Sequence, residues 1–157
     1  LKNKRLDAVV IAIGRPGDYS HELDFQIENN QLQNYLINLG QIPNRKIEKF
    51  FQISDLFLMP SRGEGFPRVM LEAMACSSPT LAFDVGGVSE IISHSVQNEL
   101  LIPLNNQDKF IDQAIKLTQS KQLRNHLGDS VYEKVKEYST ENIIEMYVNT
   151  LSRIHKK

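Results

Sequence analysis

The sequence predicts an α/β fold, a Rossmann-like doubly wound parallel sheet, and three observations predict it. Short apolar runs of strand length alternate with longer segments of helical periodicity. Glycine and proline punctuate the chain between them, around Gly14–Gly17, Ser61–Phe66 and Gly86–Gly87. Polar residues gather where strands end and helices begin, the edge at which open parallel sheets take their ligands.

Taken in order, the apolar run within Leu6–Ile13 predicts the first strand, and Gly14–Gly17 the turn that ends it. A helix is expected from Ser20 to Asn34 and a strand over Tyr35–Leu39. Asn44 is a good N-cap for a helix running to Ile53, because its side-chain oxygen can accept from an orphan N–H of the first turn. The central βαβ run follows, with strand Asp55–Pro60, loop Ser61–Phe66, helix Pro67–Cys76 and strand Thr80–Asp84. Pro67 fits the first helical turn, where its missing N–H costs little. Beyond the second glycine loop come a short helix, Val88–Ser93, and a strand, Leu100–Ile102. Helices Gln107–Thr118, Gln122–Tyr138 and Thr140–Ile154 close the chain, broken at Ser120 and at Ser139–Thr140. No repeat, linker or low-complexity segment interrupts residues 1–157, so one domain is expected.

Composition narrows the function. Hydrophobic residues at 41% and charged residues at 24% suit a globular fold rather than a disordered one. A net charge of −1 without a basic run gives no electrostatic footprint for nucleic acid. The one cysteine, Cys76, cannot form an internal disulfide; it reads as a small buried hydrophobe and is compatible with a reducing compartment. The apolar runs are too short to span a bilayer, and no leader pattern opens the chain, which reads as an excised piece. His21, His94, His126 and His155 are scattered without partners at ligand spacing, so no metal is expected. There is no phosphate-binding loop of the G-x-x-x-x-G-K-[ST] type, and Arg68 takes the place of the third glycine that would make Gly63-Glu64-Gly65 a dinucleotide fingerprint. No G-x-S-x-G elbow for a serine hydrolase is present either.

The informative chemistry lies in Glu64 and Glu72, with seven residues between them. Side chains on a helix lean toward its N-terminus, so Glu72, one turn in, and Glu64, in the loop before it, can face the same place. That place is a helix start, where backbone N–H groups and the helix dipole favour a phosphate. A phosphate does not want two carboxylates as ligands, whereas a vicinal diol beside it does, because an ionised carboxylate only accepts hydrogen bonds. Ribose and hexose supply such diols, and the two acids together point to a nucleotide sugar. Taken singly, Glu64 reads equally as a solvated loop acid and Glu72 as an exposed helix acid. A glycosidase built on the same two acids is disfavoured, since one loop and one helix turn would flank a sugar poorly. Gly65 permits close approach of backbone to ligand, with Phe66 and Arg68 presenting main-chain N–H groups; a simple turn and a core aromatic are the bland reading. Gly86 and Gly87 read either as a receiver of phosphate or sugar oxygens or as a tight strand-to-helix turn, which Glu90 caps or orients. Arg62 reads equally as a cation for a diphosphate and as a surface arginine.

Pro60-Ser61, Glu64-Gly65-Phe66, Glu72-Ala73-Met74-Ala75, Pro79, and Gly86-Gly87 with Glu90 follow one another in the order of a known signature. Ala8–Gly14, Ile37–Ile42 and Asn98–Pro103 extend the match over nearly the whole chain. The sequence resembles the C-terminal, donor-binding domain of retaining GT-B glycosyltransferases of family 4, the glycosyl transferases group 1. Three residues depart from that pattern. Pro67 stands where many members have a glycine whose N–H helps hold the donor. Ser77 replaces a glycine at a position that prefers left-handed geometry, and Glu99 replaces the glycine of the later strand.

The resemblance implies retaining hexosyl transfer from a nucleoside diphosphate sugar to a glycan or lipid-linked acceptor, as in polysaccharide or glycoconjugate biosynthesis. It implies Glu64 as the catalytic residue that holds the sugar, and Glu72 on the ribose. Gly65, Phe66, Pro67, Arg68, Gly86 and Gly87 would line the donor, and the main chain of Ile42 would read the base. No cofactor beyond the donor substrate is implied. The acceptor domain and the basic pair that steadies the departing diphosphate would precede Leu1, so this piece alone is expected to be inactive. A cytoplasmic setting is expected, with peripheral attachment of the full-length protein to the inner face of a membrane left open. A noncatalytic nucleotide- or protein-binding module on a similar fold is the alternative, since fold alone does not give function.

Overall fold

The computed structural model describes residues 8–15, 17, 20–92 and 94–155, which fall into two compact units dividing between Lys49 and Phe50. In the first unit, strand β1 (Val10–Ile13) pairs in parallel with β2 (Leu36–Gly40), and helix α1 (Ser20–Asn29) lies between them in sequence. The expected start of β1 at Leu6, and Pro16 of the following turn, lie outside the described residues. Helix α1 stops five residues before the predicted Asn34. Gln31 takes a positive φ of 53°, and the N–H groups of Leu32, Tyr35 and Leu36 turn back on carbonyls of the Ile27–Leu32 stretch. Helix α2 (Asn44–Ile53) has the predicted bounds and runs from one unit into the next.

The second unit is built on β3 (Phe57–Met59), β4 (Thr80–Asp84) and β5 (Leu101–Pro103), parallel and in that order, with β4 in the middle. Four of the five residues of β4 are buried, as a parallel strand covered on both faces requires. Helix α3 (Arg68–Ala75) connects β3 to β4 and buries Met70, Ala73 and Met74 completely. Helix α4 (Val88–Ile91), a 3₁₀ turn (His94–Val96) and helix α5 (Gln97–Leu100) then lead to β5. The last two elements are absent from the sequence reading: four-residue helices are too short to show a period. Ser93, the predicted end of α4, lies outside the described residues. Helices α6 (Gln107–Gln119), α7 (Lys121–Val135) and α8 (Thr140–His155) follow, with a 3₁₀ turn (Lys136–Tyr138) where α7 was expected to continue.

The core joins Met70 and Met74 to Leu81 and Phe83 of β4, Ile102 of β5, Leu117 of α6, and Leu127 and Val131 of α7. Phe83 stacks on Phe110 at 4.8 Å between ring centroids. Ser120 caps α7 by accepting from the Leu123 N–H at 3.2 Å. The Arg124 guanidinium donates to the Leu117 and Thr118 carbonyls at the end of α6 and to Asp55 Oδ1 at 2.6 Å, tying α7 to α6 and to the connection that precedes β3. Helix α8 keeps Ile144, Tyr147, Val148, Leu151 and Ile154 exposed along one stripe.

The close of α3 depends on two positions. Ser77 adopts φ 56°, the left-handed conformation in which a glycine is more comfortable. Its N–H bonds to the Met74 carbonyl and that of Ser78 to the Ala73 carbonyl, a Schellman closure. Half-buried Cys76 occupies the cap position of this turn. The Ser77 carbonyl in turn rests against Gly128 of α7, where an added Cβ would lie 2.4 Å from that oxygen. Gly128→Ala is therefore expected to destabilise the protein by about 1–3 kcal/mol despite alanine's better helix propensity. Urea unfolding measures it; an unchanged or raised midpoint would mean that α7 slides away at no cost.

Candidate functional site

The loop between β3 and α3 carries Glu64, half-buried, and ends at buried Pro67. Pro67 precedes the first helical residue instead of sitting within the first turn: at φ −76° and ψ 98° it is extended and occupies the cap position. It offers no side-chain cap, so the N–H groups of Arg68 and Val69 open the helix without one, while Met70 N–H reaches the Pro67 carbonyl at 3.0 Å. The helix start therefore keeps the donors and the positive dipole end that suit an anion. Arg68 and Glu72, four residues apart and both exposed, share the face opposite buried Met70 and Met74.

Gly86 and Gly87, between β4 and α4, hold the Glu64 loop by contact of backbone on backbone. A Cβ on Gly86 would lie 1.8 Å from the Glu64 carbonyl oxygen, and one on Gly87 would lie 2.4 Å from that of Gly65. Gly86 also takes a φ of 53°, a conformation that disfavours any side chain. The Gly87 N–H donates to the Gly65 carbonyl at 3.0 Å. That N–H is thereby committed to the loop, and the pair forms a tight turn between β4 and the four-residue α4.

Phe66 is 48% exposed, and its ring packs on Tyr138 at 5.6 Å between centroids. The Tyr138 hydroxyl donates to the Glu90 carbonyl at 2.9 Å. Burial raises the Tyr138 pKa above its ordinary value; nearby Lys134 opposes this, while Glu137 and Glu90 add to it. Lys134 is itself held above the ordinary lysine value by its hydrogen bond to Glu137. Sequence reasoning placed Tyr138 at the end of a helix and gave it no role; an aromatic just ahead of the Ser139 break was the signal available.

Ile42 is half-buried in the connection between β2 and α2, in the first unit, two residues past the end of its strand. Arg62 is exposed and unengaged by any described ion pair. Among the described residues no three His, Cys, Asp or Glu side chains gather as metal ligands, and no helix is long and apolar enough to cross a membrane. Two surface cavities, of about 490 and 250 Å³, lie away from the acids: one at the start of α6 around Asn105 and Asn106, the other beside Asp55 and Arg124.

A family model described as glycosyl transferases group 1 matches residues 1–134. The N-acetyl-alpha-D-glucosaminyl L-malate synthase of Bacillus anthracis is 30% identical over 143 residues, 90% of this chain and 36% of that protein. An uncharacterized glycosyltransferase of Methanocaldococcus jannaschii is 34% identical over 122 residues, 76% of this chain and 34% of its own. The chain thus spans about a third of the length of these curated relatives. Among solved structures, Anabaena HepE in complex with UDP superposes with a TM-score of 0.83 at 25% identity, over 93% of this chain and 41% of that one. HepE in complex with UDP-glucose gives 0.77 at 25% identity, over 92% of this chain and 41% of that one. The C-terminal domain of a group 1 glycosyl transferase from Francisella tularensis gives 0.72 at 21% identity, covering 88% of this chain and 91% of that one, a likeness of fold.

Gly86→Ala is expected to cost about 2–4 kcal/mol, combining the penalty of a left-handed alanine with that of overpacking against the Glu64 carbonyl. Denaturant unfolding gives the value. A loss below the error of the extrapolation would show that the loop can retreat freely.

Proposed function

Because the chain belongs to the glycosyl transferases group 1, we propose that it is the donor-binding domain of a retaining glycosyltransferase that uses a UDP-sugar. The observation that carries this reading is the open start of α3, with Glu64 just ahead of it and Glu72 one turn within it. The diphosphate would lie at that start, held by the main-chain N–H groups near Phe66 and Arg68 and by the dipole. Glu72 would accept both ribose hydroxyls, and Glu64 hydroxyls of the hexose. Gly65 lets the donor approach the backbone, Pro67 contributes one N–H fewer than a glycine would, and Gly86 and Gly87 serve the donor by seating the Glu64 loop. UDP is favoured over other bases by the UDP complexes of HepE.

In the full-length enzyme the hexose would pass to a glycan or lipid-linked acceptor bound by a further domain. Attack on the face from which the diphosphate departs retains the configuration, with that diphosphate helping to deprotonate the acceptor. Glu64, fixed by its backbone, would hold the hexose while positive charge develops at the anomeric carbon, a contact that lowers the barrier to the extent that it tightens there.

Calorimetric titration with UDP and UDP-sugars tests the reading; no binding at millimolar ligand would overturn it. Glu72→Gln should weaken UDP binding by about 1–3 kcal/mol through a lost charged hydrogen bond, and far less for a 2′,3′-dideoxy analogue that has no diol. An equal loss with both ligands would remove Glu72 from the ribose. Glu64→Ala should leave UDP affinity nearly intact and slow transfer in the full-length enzyme, by an amount comparable to the ~2.7–4 kcal/mol of one preorganised electrostatic group. Steady-state kinetics with radiolabelled donor decides it, and turnover within a few-fold of wild type would end the catalytic role of Glu64.

A further inference from the structure

Two segments meet at the candidate site, and one side chain touches both. The Glu64 loop ends in Phe66, whose ring lies on Tyr138 at 5.6 Å and an interplanar angle of 58°. The turn that seats this loop continues into α4, and the Glu90 carbonyl there accepts the Tyr138 hydroxyl at 2.9 Å. Tyr138 is itself anchored. It closes the 3₁₀ turn after α7, and the following Ser139 caps α8 by accepting from the Asn142 N–H at 3.2 Å. The Asn142 side chain donates back to the Lys136 carbonyl at 2.7 Å, across the break. Lys134, one turn earlier on α7, stands 5.9 Å from the Tyr138 ring centroid and pairs with Glu137.

We propose that Tyr138 is a positioning residue for donor binding, a clamp that fixes the Glu64 loop through the Phe66 ring and the α4 turn through the Glu90 carbonyl. The inference rests on the donor-binding reading above and extends it to a residue that would touch no donor. The backbone contacts at Gly86 and Gly87 seat the Glu64 and Gly65 carbonyls, and the Phe66 ring beyond them remains 48% exposed even with Tyr138 against it, so Tyr138 supplies its aromatic cover. The clamp grips the Glu64 side of the site and not the exposed face of α3 that carries Glu72. Its loss should therefore show more in the sugar half of the donor than in the nucleotide half, which keeps Glu72 and the N–H groups that open α3.

The test compares the affinities of UDP and UDP-glucose for the protein and for Tyr138→Ala and Tyr138→Phe. Tyr138→Ala should weaken UDP-glucose by about tenfold while UDP changes less than about threefold. Tyr138→Phe keeps the ring against Phe66 and should recover most of the loss. A merely structural role would move both affinities together in proportion to the folded fraction, and that result, or no change in either, overturns the clamp. A second readout needs no ligand. The sequence contains no tryptophan, so Phe66→Trp places a single reporter in the loop. Adding Tyr138→Ala to it should red-shift the emission as the indole loses its cover, and an unshifted spectrum overturns the clamp. If the wild-type protein binds neither UDP nor UDP-glucose, the donor reading fails and the role in donor binding fails with it, whereas a failure confined to the Tyr138 variants sinks the clamp alone.

Discussion

Everything at the candidate site rests on the approach of two stretches of backbone that side chains would keep apart. The carbonyls of Glu64 and Gly65 lie where Cβ atoms on Gly86 and Gly87 would otherwise stand, and one N–H to C=O bond joins the stretches. Backbone packed on backbone is short and stiff, so the Glu64 main chain is set by the end of β4 and not by its own loop. Glu64 is thus carried by a rigid element, as a group that must act at a defined distance requires. The glycines stand one residue past β4, and the intervening Val85 is itself buried, so the joint between the strand and the loop it holds is short and packed.

Helix α3 serves core and site at once because its two faces are unequal. Met70, Ala73 and Met74 are completely buried, while Arg68 and Glu72 on the other side remain exposed. Burying a large apolar side chain is worth roughly 1.5–3 kcal/mol, more than an exposed charge pair contributes. Packing therefore decides the helix orientation, and the exposed face is left open for recognition. The end of the same helix is fixed by the left-handed Ser77 against Gly128, so both ends of α3 are placed by backbone contacts rather than by side-chain caps.

How much of this could be read in the sequence follows from range. The strong periods and the Gly-Pro punctuation are local, and α2 and β4 come out with the expected bounds. The demand for left-handed geometry at Ser77 was also local, and the structure meets it. Pro67 came out one position early, since φ near −65° suits a cap as well as a first turn. Helix α5 and the 3₁₀ turn before it fall below the length at which a period exists, and they displace the start of β5 by one residue. For the glycine pair both readings were open, because the partner that occupies the Gly87 N–H lies more than twenty residues upstream. Tyr138 escaped for the same reason on a larger scale: its hydroxyl meets Glu90 across 48 residues, a separation no local pattern encodes.

Strand β4 sits between two partners with four of five side chains buried, and that position sorts the unit by timescale. Its amides can exchange with solvent only when the unit opens as a whole, whereas the loops at its carboxyl end can open by themselves. A solvent-exchange record of this unit should therefore hold two clocks, a slow one in the strand and a fast one at the rim. Anything that settles on the rim would be written into the fast clock first, while the slow one kept the same time.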